Sequence, residues 1–148
     1  MDAVDRALVN ALRMDGRVPY AELARRVGLS APSVHERVAK LEAAGVITGY
    51  HAVLAHASLG YTVSALIGIF LTDDADERSV EAELRGVPEI EDCWFVAGEE
   101  SYVIKVRVTD VPALEQMIST LNRIRGVART RTTVVLSTKF EDRVQPLG

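Results

Sequence analysis

The chain has 148 residues, of which 48% are hydrophobic and 26% charged, and its formal net charge is −4. This length and composition suffice for one ordinary domain or two small ones. Its longest apolar run, residues 63–71, is too short to span a bilayer, and its first residues lack the basic flank and apolar core of a signal peptide, so we expect a cytoplasmic protein without a membrane partner. One cysteine excludes an intrachain disulfide, and three histidines, all near the start, offer no zinc spacing, so no metal or redox cofactor is expected.

Two helices are predicted at the start of the chain. The first lies within residues 2–16, with Asp2 as its N-cap and Gly16 as its stop. Helical spacing gives it one apolar face, formed by Val4, Leu8, Ala11 and Leu12. The second runs from Tyr20 to Val27 and turns three side chains toward the core: Leu23, Ala24 and Val27.

A third helix is predicted from Ser30, a good N-cap, to Gly45. Pro32 fits its first turn, because that turn has no intrahelical N–H bond to lose. Its core face consists of Val34, Val38 and Leu41. Five polar side chains remain on or beside the other face, where burial does not account for them: Ser33, His35, Glu36, Arg37 and Lys40.

A tight turn around Gly28 joins the second predicted helix to the third. Residues 1–45 carry seven Arg and Lys against six Asp and Glu, whereas residues 46–148 carry ten against fifteen, so the positive charge is concentrated in the first region. Two helices joined by a short turn with Gly are typical of a helix-turn-helix domain, here of the winged-helix type, whose second helix lies in the major groove. A three-helix bundle with a solvated polar face gives the same pattern.

The candidate DNA-binding residues all lie on the third predicted helix: Ser30, Ser33, His35, Arg37 and Lys40. Arg37 is the strongest candidate, because Arg can pair with both O6 and N7 of guanine; the alternative is a surface ion pair with Glu36 or Glu22. His35 either reads a base or fills space beside the second helix. Lys40 is near the helix C-terminus, where it either contacts phosphate or interacts with the helix dipole.

A period of two residues begins at Thr62, after a connecting stretch over residues 49–61. The predicted elements are a strand over residues 62–71, a helix over 75–85, strands over 90–96 and 102–108, a helix over 111–124 and a strand from 127. This βαββαβ order, in which Arg-Gly-Val ends a helix twice, predicts an α+β, ferredoxin-like sheet of four antiparallel strands with both helices on one face. The predicted domains are residues 1–48 and 62–148, joined by a linker over 49–61.

The other face of this predicted sheet has no cover within the chain. It would expose Leu66, Phe70 and Trp94, and an apolar patch of that kind marks an interface. We therefore expect the chain to associate with itself.

The whole chain resembles the Lrp/AsnC (leucine-responsive, feast/famine) family of transcription regulators. Residues 5–52 are similar to the DNA-binding domain of that family, and two later stretches are similar to its ligand-sensing domain: VAGEESYVIKVRV and GVARTRTTVVLST. The resemblance implies a double-stranded DNA partner, an amino acid or related small molecule as effector, and a homodimer that commonly assembles into an octamer.

The loop before the third strand offers the groups that an amino acid needs. Gly98 allows a close backbone approach, while Glu99 and Glu100 offer acceptors for an ammonium group. Ser101 and backbone amides offer donors for a carboxylate, although a hairpin turn with two solvated acids has the same sequence pattern.

With the resemblance, we expect an effector site made of Gly98, Glu99, Glu100, Ser101, Tyr102, Thr130 and Thr132. The two threonines are equally at home in a strand for their β-propensity alone. The family often has Asp where Ser101 stands, and Glu99 or Glu100 can substitute for that acid.

The expected function is that of a sequence-specific DNA-binding transcription regulator that responds to an amino acid. An enzyme is not expected, because the sequence has no nucleophile with a base partner, no paired metal ligands and no phosphate-binding Gly-rich loop. The alternative is an architectural protein that compacts DNA with little sequence preference and no effector. Affinities for specific and random DNA at one salt concentration distinguish the two.

Overall fold

A computed structural model describes residues 1–145, which divide into two compact units. The first contains Met1–Val53, grouped with the segment from Phe140, and the second contains Leu54–Lys139. Among residues 1–145, none of the helices has the length and apolar character that crossing a membrane requires. The first unit holds three helices: α1 (Ala3–Met14), α2 (Tyr20–Val27) and α3 (Ala31–Ala43).

Acidic residues define both ends of α1. Asp2 accepts a hydrogen bond from the backbone N–H of Asp5 (2.8 Å), and the Asp5 carboxylate accepts one from the N–H of Asp2 (3.1 Å), which forms a capping box. The helix ends at Met14, and Asp15 has an extended backbone. The prediction of Gly16 as the stop is wrong, because Asp15 already leaves the helical conformation.

The turn between α2 and α3 depends on a left-handed residue. Gly28 has φ 69° and ψ 32°, a conformation that glycine adopts without steric cost. Ser30 then caps α3, since its Oγ accepts a hydrogen bond from the N–H of Ser33 at 3.3 Å. The three helices close over a buried apolar cluster: Leu8, Leu12, Val18, Leu23, Ala24, Val34 and Val38.

The chain after α3 returns to this core without forming a strand. The N–H groups of Val46 and Ile47 both donate to the carbonyl oxygen of Leu41, and Ile47 packs against the helical core. Residues 1–53 therefore form a helix-turn-helix unit that lacks the strands of a wing, which corrects the winged-helix part of the prediction.

The second unit has the predicted element order. It contains β1 (Val63–Leu71), α4 (Glu77–Arg85), β2 (Ile90–Phe95), β3 (Tyr102–Val108), α5 (Val111–Asn122) and β4 (Val127–Val135), after a 3₁₀ turn at His56–Leu59. The strands form one antiparallel sheet in the order β2-β3-β1-β4, which confirms the ferredoxin-like α+β fold. Both helices cover one face, and the core between them and the sheet includes Ile67, Ile104, Val80, Leu84, Leu114 and Leu121.

The face of the sheet away from the helices, here called the open face, carries the alternate residues of each strand. Leu66 and Trp94 are 40% and 46% exposed there, as predicted. Phe70 is only 8% exposed, so its predicted exposure is wrong. The guanidinium carbon of Arg129 lies 3.5 Å from the Phe70 ring centroid and covers it.

Candidate functional site

The exposed face of α3 lies opposite its core-facing side chains. Val34 and Val38 are fully buried. The predicted site residues Ser33, His35 and Lys40 are exposed. The hydroxyl of Ser30 lies 2.8 Å from that of Ser33, so two hydroxyls mark the start of the helix. This exposed face belongs to a single α-helix, which is the width that the major groove of DNA admits.

Arg37 faces α1 and is half-buried. Its Nη1 donates to Oδ2 of Asp2 and to Oδ1 of Asp5, each at 2.7 Å. The pKa of Asp2 is lowered first by the backbone N–H of Asp5 and then by Arg37. Arg37 does form an ion pair, as the alternative predicted, but the prediction of Glu36 or Glu22 as its partner is wrong. The partners are Asp2 and Asp5, because these two carboxylates at the start of α1 lie beside Arg37.

Lys40 is the outward-facing cation of α3. Its Nζ lies 2.7 Å from Oε1 of Glu36, one helical turn earlier, and the two side chains are 74% and 68% exposed. The hydrogen bond from Lys40 lowers the pKa of Glu36. Exposed pairs of this kind contribute little to stability, so Lys40 can leave Glu36 for another anion at small cost.

His35 contacts the second helix through its ring. Its imidazole meets Tyr20 edge to face, with the ring centroids 5.4 Å apart. His35 is nevertheless exposed. Its imidazole therefore contacts α2 and is still accessible from solvent.

The arginines of α2 share one acid. Arg25 and Arg26 both donate hydrogen bonds to the Glu22 carboxylate. These bonds lower the pKa of Glu22 to about 2, and the bond from Arg25 has the larger effect. Both arginine side chains are more than half exposed. They therefore lie on a solvated face of α2. Their acidic partner, Glu22, is not shared with the charged residues of α3.

The loop over residues 98–101 is held against β1 by its backbone. The N–H of Ser101 donates to the carbonyl oxygen of Ile69 (2.9 Å), and the N–H of Val96 donates to the carbonyl oxygen of Ser101 (3.0 Å). These two bonds fix the loop at the end of the ladder between β1 and β3.

The side chain of Glu100 folds over the open face. It is 14% exposed and forms an ion pair with Arg131 of β4. It also lies directly on Gly68 of β1, where an added Cβ would be 2.6 Å from Cγ of Glu100. Gly68 thus leaves the space that Glu100 occupies.

Gly98 and Glu99 form the exposed tip of the loop. The Glu99 side chain is 79% exposed, and its Oε2 lies 3.7 Å from Nη1 of Arg131. A Cβ on Gly98 would meet Oε2 of Glu100 at 3.8 Å, an ordinary van der Waals distance. Both predicted acids of the loop therefore neighbour one cation, Arg131.

Tyr102, also predicted for this site, belongs to the core. Its side chain is buried, its hydroxyl donates to the carbonyl oxygen of Glu77 (3.3 Å), and its ring packs against Phe95 with centroids 5.2 Å apart. Burial raises the pKa of the Tyr102 phenol. The side chain thus faces α4, away from the Glu100 carboxylate.

Thr130 and Thr132 lie on the other face of the sheet from Glu100. They pair with Ile69 and Ile67 across the β1–β4 ladder, and alternation along the strand turns them to the helix-covered side. Within one subunit, the structure brings together residues 98–101 and leaves the two threonines outside that cluster.

Sequence reasoning missed Arg131 and its neighbour Arg129. The signal was present in the last strand, where two arginines alternate with threonines and a period of two puts both on the open face. Opposite them across the ladder are Gly68 and Phe70 of β1. The guanidinium of Arg131 is 5.7 Å from the Phe70 centroid.

A second charged cluster, also missed, occupies the other end of the open face. Arg107, 9% exposed, donates to Glu91 through Nε (2.7 Å) and to the hydroxyl of Ser64 through Nη1 (3.0 Å). Lys105 and His56 lie 3.3 and 3.9 Å from the same Glu91 carboxylate. Burial opposes the ionisation of Glu91, but Arg107 and Lys105 together outweigh it and lower its pKa. These contacts join β1, β2 and β3.

Three cavities, of about 750, 440 and 310 Å³, lie in the second unit. The first is between the end of α4, α5 and Arg107, the second is beside β2, and the third is beside Gly126. Of the predicted effector residues, Tyr102 lines the second cavity, and residues 98–101 line none of these three.

Comparisons with known proteins match both units of the chain. A family model described as the AsnC-type helix-turn-helix domain matches residues 1–42, and one described as the Lrp/AsnC ligand binding domain matches residues 64–145.

Individual relatives match over nearly their whole length. The HTH-type transcriptional regulator LrpA of Mycobacterium tuberculosis is 43% identical over 145 residues, which cover 97% of this chain and 95% of that protein. The regulatory protein AsnC of Escherichia coli strain K12 is 33% identical over 147 residues, which cover 99% and 97%. A solved structure of a feast or famine regulatory protein from M. tuberculosis, complexed with L-methionine, has a TM-score of 0.93 at 40% identity and covers 99% of both chains.

Proposed function

The chain belongs to the Lrp/AsnC family of transcription regulators, and from this premise we propose that α3 is its DNA-recognition helix and that the loop over residues 98–101 forms part of its effector site. The proposal implies a cytoplasmic location, since chromosomal DNA is the target. The matched relatives named above are regulators and not enzymes.

The exposed face of α3 carries the DNA-binding part of the proposal. Ser33 and His35 offer hydrogen-bonding groups for base edges, and Lys40 offers an exposed ammonium for a phosphate. Ser30 lies at the helix N-terminus, where the helix dipole favours a phosphate. Arg37 positions α3 on α1 and reaches a base only by leaving Asp2 and Asp5.

The test of this part is selection of bound duplexes from a random pool, followed by affinity measurements at one fixed salt concentration. A regulator binds the selected duplex at least about a thousandfold more tightly than random DNA. Equal affinities would support the architectural alternative, which the named relatives do not favour.

The pairing of acids and a cation at the loop supports an amino acid as effector. Glu99, Glu100 and Arg131 provide both signs of charge close together beside the loop. A relative solved in complex with L-methionine supports the same class of ligand. Because residues 98–101 form a tip rather than a cavity, we propose that a neighbouring subunit completes the site.

A thermal-shift screen of the full chain against the standard amino acids tests the effector. A ligand that binds the native assembly raises its melting temperature by mass action. If none of these amino acids shifts the melting temperature, this part of the proposal fails.

Self-association through the open face is the third part of the proposal, with a homodimer as the unit and an octamer as the larger assembly. Leu66 and Trp94 are exposed on that face. Leu66→Lys should lower the mass measured by light scattering. The matched control is Val111→Lys, at a 66% exposed apolar position at the start of α5, which should leave the mass unchanged.

A further inference from the structure

The largest of the three cavities in the second unit lies away from the loop over residues 98–101. Its volume is about 750 Å³, and it opens between the end of α4, the start of β2 and one face of α5. β3 begins beside the loop at Tyr102 and ends at the cavity with Val108, and its seven residues span about 20 Å. We propose that this cavity is a second small-molecule site, separate from the effector site, which takes a primary amine with an apolar body and no carboxylate.

One wall of the cavity is apolar. Val108 and Met117 are 3% and 5% exposed and belong to the hydrophobic core of the second unit, and Val87 packs against that core. α5 contributes residues from one face of the helix: Ala113, Gln116, Met117 and Thr120. An apolar body in the cavity removes this edge of the core from water, which favours binding.

Hydrogen bonds hold the other wall, residues 86–89, in place. The N–H of Val87 donates to the carbonyl oxygen of Leu84 at 3.1 Å. At the end of this wall, the N–H of Arg107 donates to the carbonyl oxygen of Glu89 at 3.2 Å. The cavity is therefore formed before a ligand arrives, and binding does not have to order a loop.

The charged side chains at the cavity leave one carboxylate without a counter-charge. Glu91 accepts two hydrogen bonds from Arg107, which is 9% exposed, and also contacts Lys105 at 3.3 Å. The Glu89 carboxylate also lines the cavity, but has no ion-pair or hydrogen-bond partner among residues 1–145. Glu89 is thus the acid of this lining that can accept a cation from a ligand.

These features determine the chemistry of the ligand. An ammonium group pairs with Glu89, and the apolar body attached to it covers Met117 and Val108. A carboxylate on the same molecule has no comparable partner, because the buried guanidinium of Arg107 is engaged by Glu91, and separating a buried ion pair is costly. The cavity therefore favours an amine over an amino acid or a carboxylic acid.

Methyl NMR of the full chain tests the proposal, because Met117 lines the cavity and the chain has only two other methionines. Met1 and Met14 belong to the first unit, are 62% and 75% exposed, and serve as internal controls. In a chain with isotope-labelled methionine methyl groups, hexylamine should shift the Met117 signal in a saturable titration and leave the other two unchanged.

Hexanol and hexanoate, which have the same apolar body, separate the charge from the apolar contact. Hexanol should bind at least about tenfold more weakly than hexylamine, and hexanoate should give no saturable shift of Met117. The proposal would be overturned by an unmoved Met117 signal in hexylamine, by equal shifts of all three methyl signals, or by hexanoate binding as tightly as the amine.

Two pairs of variants locate the site. Glu89→Gln should weaken hexylamine binding about tenfold, whereas Glu115→Gln, which removes an exposed acid of α5 outside the lining, should change it less than about twofold. Gln116→Trp should fill the cavity and abolish the response of Met117, whereas Ser119→Trp, at an exposed position of α5 outside the lining, should preserve it. An equal loss in a variant and its control would overturn the proposed site. The melting temperature of each variant reports that it is folded.

Discussion

Lys40→Ala is the substitution that most directly tests α3 as the DNA-recognition helix. The Lys40 side chain is 74% exposed, and its described partner, Glu36, is 68% exposed on the same helix. Removing the ammonium group therefore leaves the helical core untouched. Any loss of DNA affinity then reports a contact with DNA rather than a loss of fold.

The expected magnitude follows from one phosphate contact. Each neutralised phosphate contributes about 0.9 to the slope of log affinity against log salt concentration. Loss of one such contact lowers the slope by about 0.9 and, at about 0.1 M salt, lowers the affinity about eightfold. Because a phosphate carries no sequence information, selected and random duplexes should lose the same factor.

The assay is fluorescence anisotropy of labelled selected and random duplexes, at several salt concentrations between about 0.05 and 0.2 M. The matched control is Arg85→Ala, because Arg85 is 78% exposed and is paired with Glu81 at the same helical spacing, but belongs to α4 of the sheet unit. An unchanged slope for Lys40→Ala refutes the phosphate contact. An equal change for Arg85→Ala would show that net charge alone is responsible.

Three further predictions concern the first unit. The lowered pKa values of Glu22 (about 2) and Glu36 mean that their ion pairs stabilise the fold above about pH 4.5 and are lost as the pH falls toward 2; because these pairs lie at the surface, Glu22→Gln and Glu36→Gln should each lower the urea midpoint only slightly at neutral pH, and the difference from the parent should shrink over that pH range. Gly28→Ala should lower the free energy of unfolding by about 1 kcal/mol in urea titrations, through its positive φ alone, since no atom lies within 4 Å of the new Cβ, and Gly28→Asn should lower it less. Burial and the hydrogen bond to Glu42 raise the pKa of Tyr50 to about 12, so Tyr50→Phe should remove a late-ionising phenol from an ultraviolet pH titration.

Helix starts and strand faces could be predicted because short-range chemistry determines them. Asp2 and Ser30 both cap their helices as the sequence indicated, since a capping side chain and its target N–H are three residues apart. Strand alternation likewise assigned Leu66 and Trp94 to the open face. The end of α1 was missed, because Asp15 leaves the helix through its own backbone conformation, before the glycine that usually signals a stop.

Ion-pair partners distant in sequence could not be predicted. Arg37 meets Asp2 and Asp5 only after α3 packs across α1, and its sequence neighbours were therefore the wrong candidates. Arg131 meets Glu100 only after β4 pairs with β1. The loop residues could be chosen from their residue types alone. The cation beside them, Arg131, could be identified only once the order of strands in the sheet was known.

Ion pairs within the chain already occupy the cations of α3 before DNA binds. Lys40 and Arg37 are matched by Glu36, Asp2 and Asp5, so the described charges of α3 and its neighbours largely cancel before DNA arrives. A phosphate then replaces the exposed Glu36 carboxylate as the partner of Lys40, and the contact adds affinity through counterion release without carrying sequence information. Under the proposed function, discrimination between sequences comes from groups that do not exchange one anion for another; on α3 we assign this role to Ser33 and His35, whose hydrogen-bonding groups particular base edges satisfy.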